Sequence, residues 1–219
     1  MKTFRILVSL FGVLLFVAGA MELKLRLRSS SLPTQYSVAS LEAGAEVTNL
    51  SGVIDSHYAV YPAMVFAYRT SDADSKPTGN EFVENIWYPI VSDQHYTNET
   101  ADASFRIIVK EKVGMMRVRD LPAGVEHKDS QGGMFLDGFH AFGGEERRLL
   151  QSAFPNLDFK RVLLFEIGRQ RSSIGSISGL LGGGLLLVIL PVAYWIRQGF
   201  KRRNASESDG AANAAPPNR

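Results

Sequence analysis

Asp137-Gly-Phe-His140-Ala-Phe-Gly-Gly-Glu145-Glu146 is the densest run of chemistry-bearing side chains in the sequence. Asp, His and Glu bind metal ions or exchange protons, and glycines between them let a backbone approach a ligand closely. Asp137, His140, Glu145 and Glu146 are therefore the candidate catalytic residues. Two features weigh against a site there. The spacing matches no metal-ligand signature, and Glu145 and Glu146 open a helix-forming stretch, where acidic side chains favour the positive end of the helix dipole. Phe135, Phe139 and Phe142 read as packing residues around a loop. The sequence points to no metal and no cofactor.

The remaining histidines, His57, His95 and His127, are scattered, as satisfied or exposed histidines are. There is no Gly-x-Ser-x-Gly elbow, no Walker loop and no dinucleotide fingerprint. With no cysteine, the chain has no disulfide, thiolate nucleophile or Cys-ligated metal. Tyr58, Tyr61, Tyr68, Trp87 and Tyr88 combine apolar area with polar handles and suit recognition. About half of them should nevertheless face a core if they lie on alternating strands. Trp87 is the first choice for a core anchor. Asn49-Leu-Ser and Asn98-Glu-Thr are glycosylation acceptors by pattern.

These residues lie between two apolar segments. Ile174–Ile196 carries no charge, and as a helix its 23 residues would extend roughly 34 Å, enough for a ~30 Å hydrocarbon core. It ends against Arg197, Lys201, Arg202 and Arg203, with Tyr194 and Trp195 at the expected membrane interface. The positive-inside rule puts that basic end, residues 197–219, in the cytoplasm, with a disordered tail from Asn204. At the other end, Lys2 and Arg5 precede an apolar run from Ile6 to Ala20. Two readings stay open: a cleavable signal, residues 1–20, or an uncleaved signal-anchor helix, residues 1–28. Both put the central region on the extracytoplasmic side. Gly175, Gly179 and Gly183 recur at every fourth position and mark a helix-packing stripe. Its partner would be a second copy, another protein, or the N-terminal segment through Gly12 and Gly19.

Residues 29–45 begin as a Ser-rich linker and form the entry to the domain, and 46–168 read as one β-rich domain. Strand candidates are Glu46–Ile54, Val60–Arg69, Ile86–Val91, Phe105–Lys110, Met115–Arg119 and Arg161–Ile167. Turn chemistry fills Ser71–Asn80 and Asp120–Gly133. Pro62 and Pro89 push their strands toward edges, ends or bulges. Glu145–Ala153, closed by Pro155, is the one clear helix of the domain. The expected fold is a small antiparallel barrel or sandwich, possibly OB-like, with one short helix.

The layout of apolar N-terminal segment, β-rich domain, second span and basic end resembles the plan of several membrane assembly proteins, in topology alone. A net charge of +2 and the absence of a basic stripe interleaved with aromatics disfavour a nucleic-acid partner. The leading expectation is a non-enzymatic membrane protein whose domain binds or organises a partner beside the lipid bilayer. The alternatives are a membrane-anchored enzyme using Asp137–Glu146, or a single-pass receptor-like protein with a cleaved signal.

Overall fold

The computed structural model describes residues 2–69, 77–97, 105–136, 144–155 and 157–212, and for residues 2, 5, 145 and 196–212 the backbone alone. It divides into two compact units, Leu27–Arg171 and the two chain ends, Met1–Arg26 with Ser172–Arg219.

In the central unit the described residues form one nine-stranded mixed sheet. The strands are β1 (Thr34–Tyr36), β2 (Ser51–Ile54), β3 (His57–Val60), β4 (Val65–Tyr68), β5 (Val83–Val91), β6 (Ile107–Lys112), β7 (Val125–Lys128), β8 (Gln131–Leu136) and β9 (Leu163–Ile167). Their order is β1-β2-β8-β9-β6-β5-β3-β7, with β4 also on β5. Three short helices accompany them: α2 (Val38–Glu42), α3 (Asp93–Thr97) and α4 (Gly144–Ala153). The expectation of a purely antiparallel sheet is corrected at two ladders: β1 runs parallel to β2, and β6 parallel to β9.

β5 is the spine. Residues 86–91 are buried throughout, so both faces are covered, and this near-continuous apolar run lacks the alternation of a half-exposed strand. α2 packs against β5 and α4 against β4. Trp87 is 2% exposed and does anchor the core. Pro89 sits inside this central strand, not at an edge. It occupies the step where the β4 segment, ending opposite Trp87, gives way to β3, starting opposite Ile90. That edge of β5 carries no partner at residue 89, so the missing N–H is least costly there. Pro62 lies in a one-turn 3-10 helix, Tyr61–Ala63, which separates β3 from β4.

Two glycines make the other half of the sheet possible. A Cβ on Gly133 would collide with the Glu166 carbonyl and meet the Phe165 ring at 2.8 Å, and one on Gly52 would meet the Tyr36 and Phe135 rings. The aromatics take the vacated space: Tyr36 lies edge-on to Phe135 at 5.2 Å, and Phe135 packs on Phe165 at 4.8 Å. Residues 29–45 are folded in with the sheet. They contain β1 and α2, and Val38 and Leu41 are fully buried. Asn49 ties this segment down. Its Oδ1 accepts from the Ser30 and Ser51 amides, and its Nδ2 donates to the Leu32 carbonyl and the Thr34 hydroxyl. The Tyr36 hydroxyl brackets the Asn49 backbone, accepting from its N–H and donating to its carbonyl, both at 2.8 Å. An amide so fully engaged is a structural pin, and the Asn49 triplet is closed to glycosylation once folded. The Asn98 triplet lies outside the described residues.

The second unit is a helix pair, α1 (Lys2–Leu27) and α5 (Ile174–Ala212). Each contains a 22-residue stretch long and apolar enough to cross a membrane, Ile6–Leu27 and Ile174–Trp195. α5 continues through Pro191 and past Ile196 to Ala212. No proline follows Pro191 before Pro216, and Ala, Arg and Lys sustain helix.

Candidate functional site

Of the acidic and histidine candidates, Asp137 and His140 lie outside the described residues, and Glu145 has only its backbone described. Glu146 stands in the first turn of α4 and pairs with Lys110 of β6 at 3.1 Å. The Lys110 ammonium in turn lies 5.5 Å from the centre of the Trp87 ring. Glu146 thus holds α4 against the sheet.

Ser92, His95 and Glu42 form a cluster with the composition of a nucleophile triad but the wrong order. Ser92 Oγ donates to Glu42 Oε2 at 2.6 Å, and His95 Nδ1 lies 3.4 Å from the other carboxylate oxygen. The carboxylate stands between serine and histidine, so the imidazole is not placed to take the serine proton. Ser92 instead caps α3, accepting from the His95 amide, and Glu42 binds the Ser92 amide. His57 is fully buried, with Nδ1 at 2.8 Å from the Asp55 carbonyl and Nε2 without a partner. Burial depresses its pKa below the usual 6.5 against the opposing pull of Asp55, with His127 and Lys128 acting in the same direction as burial. It is a neutral core histidine. His127 lies edge-on to Tyr58, which stacks on Tyr96 at 4.2 Å.

One cleft among the described residues is shaped to receive a ligand, and residue pattern does not single it out. At one end of the sheet, β2, β9 and β6 begin and β8 ends, side by side. A cleft of about 490 Å³ opens there. Its floor is apolar, with Leu50, Phe135 and Val162 all buried. Its rim carries four cations, Arg28, Arg106, Lys160 and Arg161, against one carboxylate, Glu46.

Topology assembles this rim. The parallel β6–β9 pairing sets Ile107 opposite Leu163, so Arg106 and Val162, each one residue before its strand, lie at the same end. The Leu163 amide donates to the Arg106 carbonyl at 2.8 Å, and the Leu50 amide donates to the Arg28 carbonyl at 3.2 Å. Gly44 ends the α2 turn with φ of +110°, a conformation that strains residues with a Cβ. The Ala45 amide bonds back to Ser40 and the Gly44 amide to Leu41, the Schellman closure of a helix end. A side chain there would also meet Arg106 Nη1 at 3.1 Å, so Gly44 makes room for the guanidinium. Arg106 Nε is buried without a hydrogen-bond partner, and among the described residues no carboxylate pairs with Arg106, Lys160 or Arg161. Leaving a buried charged donor unmet costs about 1–3 kcal/mol.

In the helix pair the contacts run antiparallel. Gly12 faces Gly184, Gly19 faces Leu181, and Ser172 Oγ donates to Glu22 Oε2 at 2.6 Å. Arg26, one turn on from Glu22, donates to the Ser172 carbonyl. On α1 the covered or half-covered residues are Val8, Ser9, Gly12, Leu15, Gly19, Glu22, Leu25 and Arg26. Within them Val8, Gly12, Leu15, Gly19, Glu22 and Arg26 alternate four and three apart, the seam spacing of two packed helices. Gly175, Gly179 and Gly183 stand apart from this seam. A Cβ would meet nothing within 4 Å at Gly179 or Gly183, and only Ser173 Oγ at 3.9 Å at Gly175. Tyr194 and Trp195 are exposed at 45% and 65%. Arg197, Lys201, Arg202 and Arg203 continue the helix, with backbone alone described.

No protein-family model, no curated protein and no solved structure matches this chain.

Proposed function

We propose that this is a non-enzymatic membrane protein in which α1 and α5 both span the bilayer, the β-domain is extracytoplasmic, and the domain binds or organises a partner beside the membrane, as an assembly factor does. The glycine-lined seam between α1 and α5 carries the reading. A segment serving only as an export signal has no need of surface glycines matched to a helix at the other end of the chain. Each Cβ added at Gly12 or Gly184 would come within 2.8 Å of the opposing helix backbone. Close approach of this kind is how helices associate in lipid, where no hydrophobic drive separates them from the solvent.

Charge supports the orientation. In an antiparallel pair Lys2 and Arg5 lie at the same end as Arg197, Lys201, Arg202 and Arg203. These six cations stand against Lys24, Arg26, Arg28, Arg169 and Arg171 at the other end, where Glu22 and Glu166 accompany them, and the positive-inside rule makes the more basic end the cytoplasmic one. The open stripe of Gly175, Gly179 and Gly183 is then free for a second copy or a partner's helix. Glu146, Ser92, His95 and Glu42 already hold helices in place, which favours binding over catalysis.

The absence of cysteine makes the orientation directly testable. Single Ser130→Cys and Ser206→Cys variants, in intact cells or sealed vesicles, are exposed to a membrane-impermeant maleimide. The reading requires labelling of Ser130→Cys from outside and protection of Ser206→Cys until the membrane is opened. Labelling of both, or the reverse pattern, sinks it.

A further inference from the structure

We propose that the cleft at the β2–β8–β9–β6 end of the sheet binds a phosphate group, with the Arg106 guanidinium as its central ligand and Lys160 and Arg161 at its mouth. Four observations converge there. The cleft is large enough for a phosphate and part of what it is attached to, at about 490 Å³. Its rim holds four cations to one carboxylate, an imbalance that favours an anion. Among the described residues no carboxylate pairs with the Arg106 guanidinium and its buried Nε has no hydrogen-bond partner, so its charge is left for an anion to balance. Gly44, held at φ +110°, keeps the space beside the guanidinium clear. Guanidinium groups match phosphate oxygens in a planar, two-pronged geometry, and the half-buried Arg106 is held where water competes less than at an exposed site. The apolar floor of Leu50, Phe135 and Val162 suits an organic substituent on that phosphate better than the bare ion.

The same chemistry has two sources, an anionic lipid headgroup or a soluble phosphate ester. Arg28, on the rim, is the first residue after α1. If α1 spans the bilayer, chain connectivity alone keeps Arg28 within a few residues of the headgroups, which favours the lipid. That preference rests on the anchoring proposed above; the phosphate chemistry does not.

The test uses the full chain, with thermal unfolding of the β-domain followed as anion is added. In an uncharged detergent, inorganic phosphate at fixed ionic strength should raise the melting temperature saturably. Arg106→Met should weaken the apparent affinity by roughly tenfold or more, the worth of a good charge-assisted contact. Should Arg106→Met fail to fold, the exposed pair Lys160→Ala with Arg161→Ala should weaken it several-fold with basal melting unchanged. In phosphatidylcholine discs containing phosphatidic acid, a lipid ligand would raise melting without added phosphate and abolish the further response. A soluble ligand would leave the response equal in discs with and without phosphatidic acid. The proposal is overturned if neither probe gives a saturable shift, or if the charge-removing variants respond like the natural chain. Saturable, Arg106-dependent binding by a chain that alkaline carbonate strips from membranes would uphold the cleft and refute the anchoring.

Discussion

In the β-domain the covered side chains are large and apolar, Trp87, Phe135 and Phe165 among them, whereas in the helix pair the most fully covered α1 residues are glycines and leucines and phenylalanines face outward. The contrast is the one two solvents would produce if the helix pair spans a membrane as proposed. In water, burying apolar area drives folding, so the domain hides its aromatics and fills glycine gaps with rings. In lipid, outward leucine costs nothing, and two helices associate through close backbone approach and polar contacts such as Ser172 with Glu22. Asn49 and Glu22 show the same difference from the polar side. Asn49 is an uncharged pin inside an apolar domain, with each amide atom engaged, and Glu22 is a carboxylate held by Ser172 near one end of the pair.

Substitutions can break this comparison at graded cost. The largest effect belongs to Trp87→Ala, which should destabilise the domain by about 3–5 kcal/mol through lost burial and a cavity. Urea unfolding followed by circular dichroism would report it, and the helix pair should be untouched. Asn49→Ala should cost about 2–3 kcal/mol, because the Ser30 and Ser51 amides and the Leu32 carbonyl lose partners. Ser51→Ala deletes the glycosylation triplet but spares the amide network, and should stay within about 0.5 kcal/mol of the natural chain.

The next two substitutions act on the other unit. Gly184→Leu should weaken the helix pair by about 1–3 kcal/mol, since its side chain meets Gly12 and Phe16 backbone at 2.7 Å. Gly179→Leu, facing open space, should leave the pair intact and alter only association between copies. Unfolding in a detergent titration separates the two, and equal effects would dissolve the distinction between seam and stripe. The smallest effect is a pH dependence. His57 has a depressed pKa in the fold, so the unfolded chain takes up its proton first as pH falls through 6.5. Stability therefore holds above that pH and declines below it, with a slope of at most about 1.4 kcal/mol per pH unit. His57→Gln should flatten the slope in pH-resolved denaturation, with its own cost in packing.

How far the sequence reaches follows the range of the interactions involved. The helix at Gly144–Ala153, the apolar segments and most core strands announce themselves by local periodicity, turn residues and stop signals. β7 and β8 do not, because Gly124, Gly132 and Gly133 read as turns when taken singly. Only the Phe165 ring and Glu166 carbonyl, some thirty residues away, explain why Gly133 must lack a side chain. β1 and α2 were hidden in a Ser-rich stretch whose order comes from Asn49 and from pairing with β2. Met115–Arg119, an alternating strand candidate, gives instead an isolated bridge from Arg117 to Phe82 and a 3-10 turn at Val118–Asp120. The cleft was beyond local reading for the same reason. Arg28, Arg106 and Lys160–Arg161 are far apart in the chain, and only a parallel β6–β9 ladder brings the last two together. One trace was there to find: basic residues mark both ends of the domain, and few acidic ones accompany them.

The central claim is that α1 stays in the mature protein as the partner of α5, and the intact mass of the chain purified from membranes tests it most directly. The account predicts a mass that includes residues 1–20, near 24.1 kDa for these 219 residues. A product lacking residues 1–20 would have lost Gly12 and Gly19, and with them the seam. It would leave a domain on a single span and contradict the account.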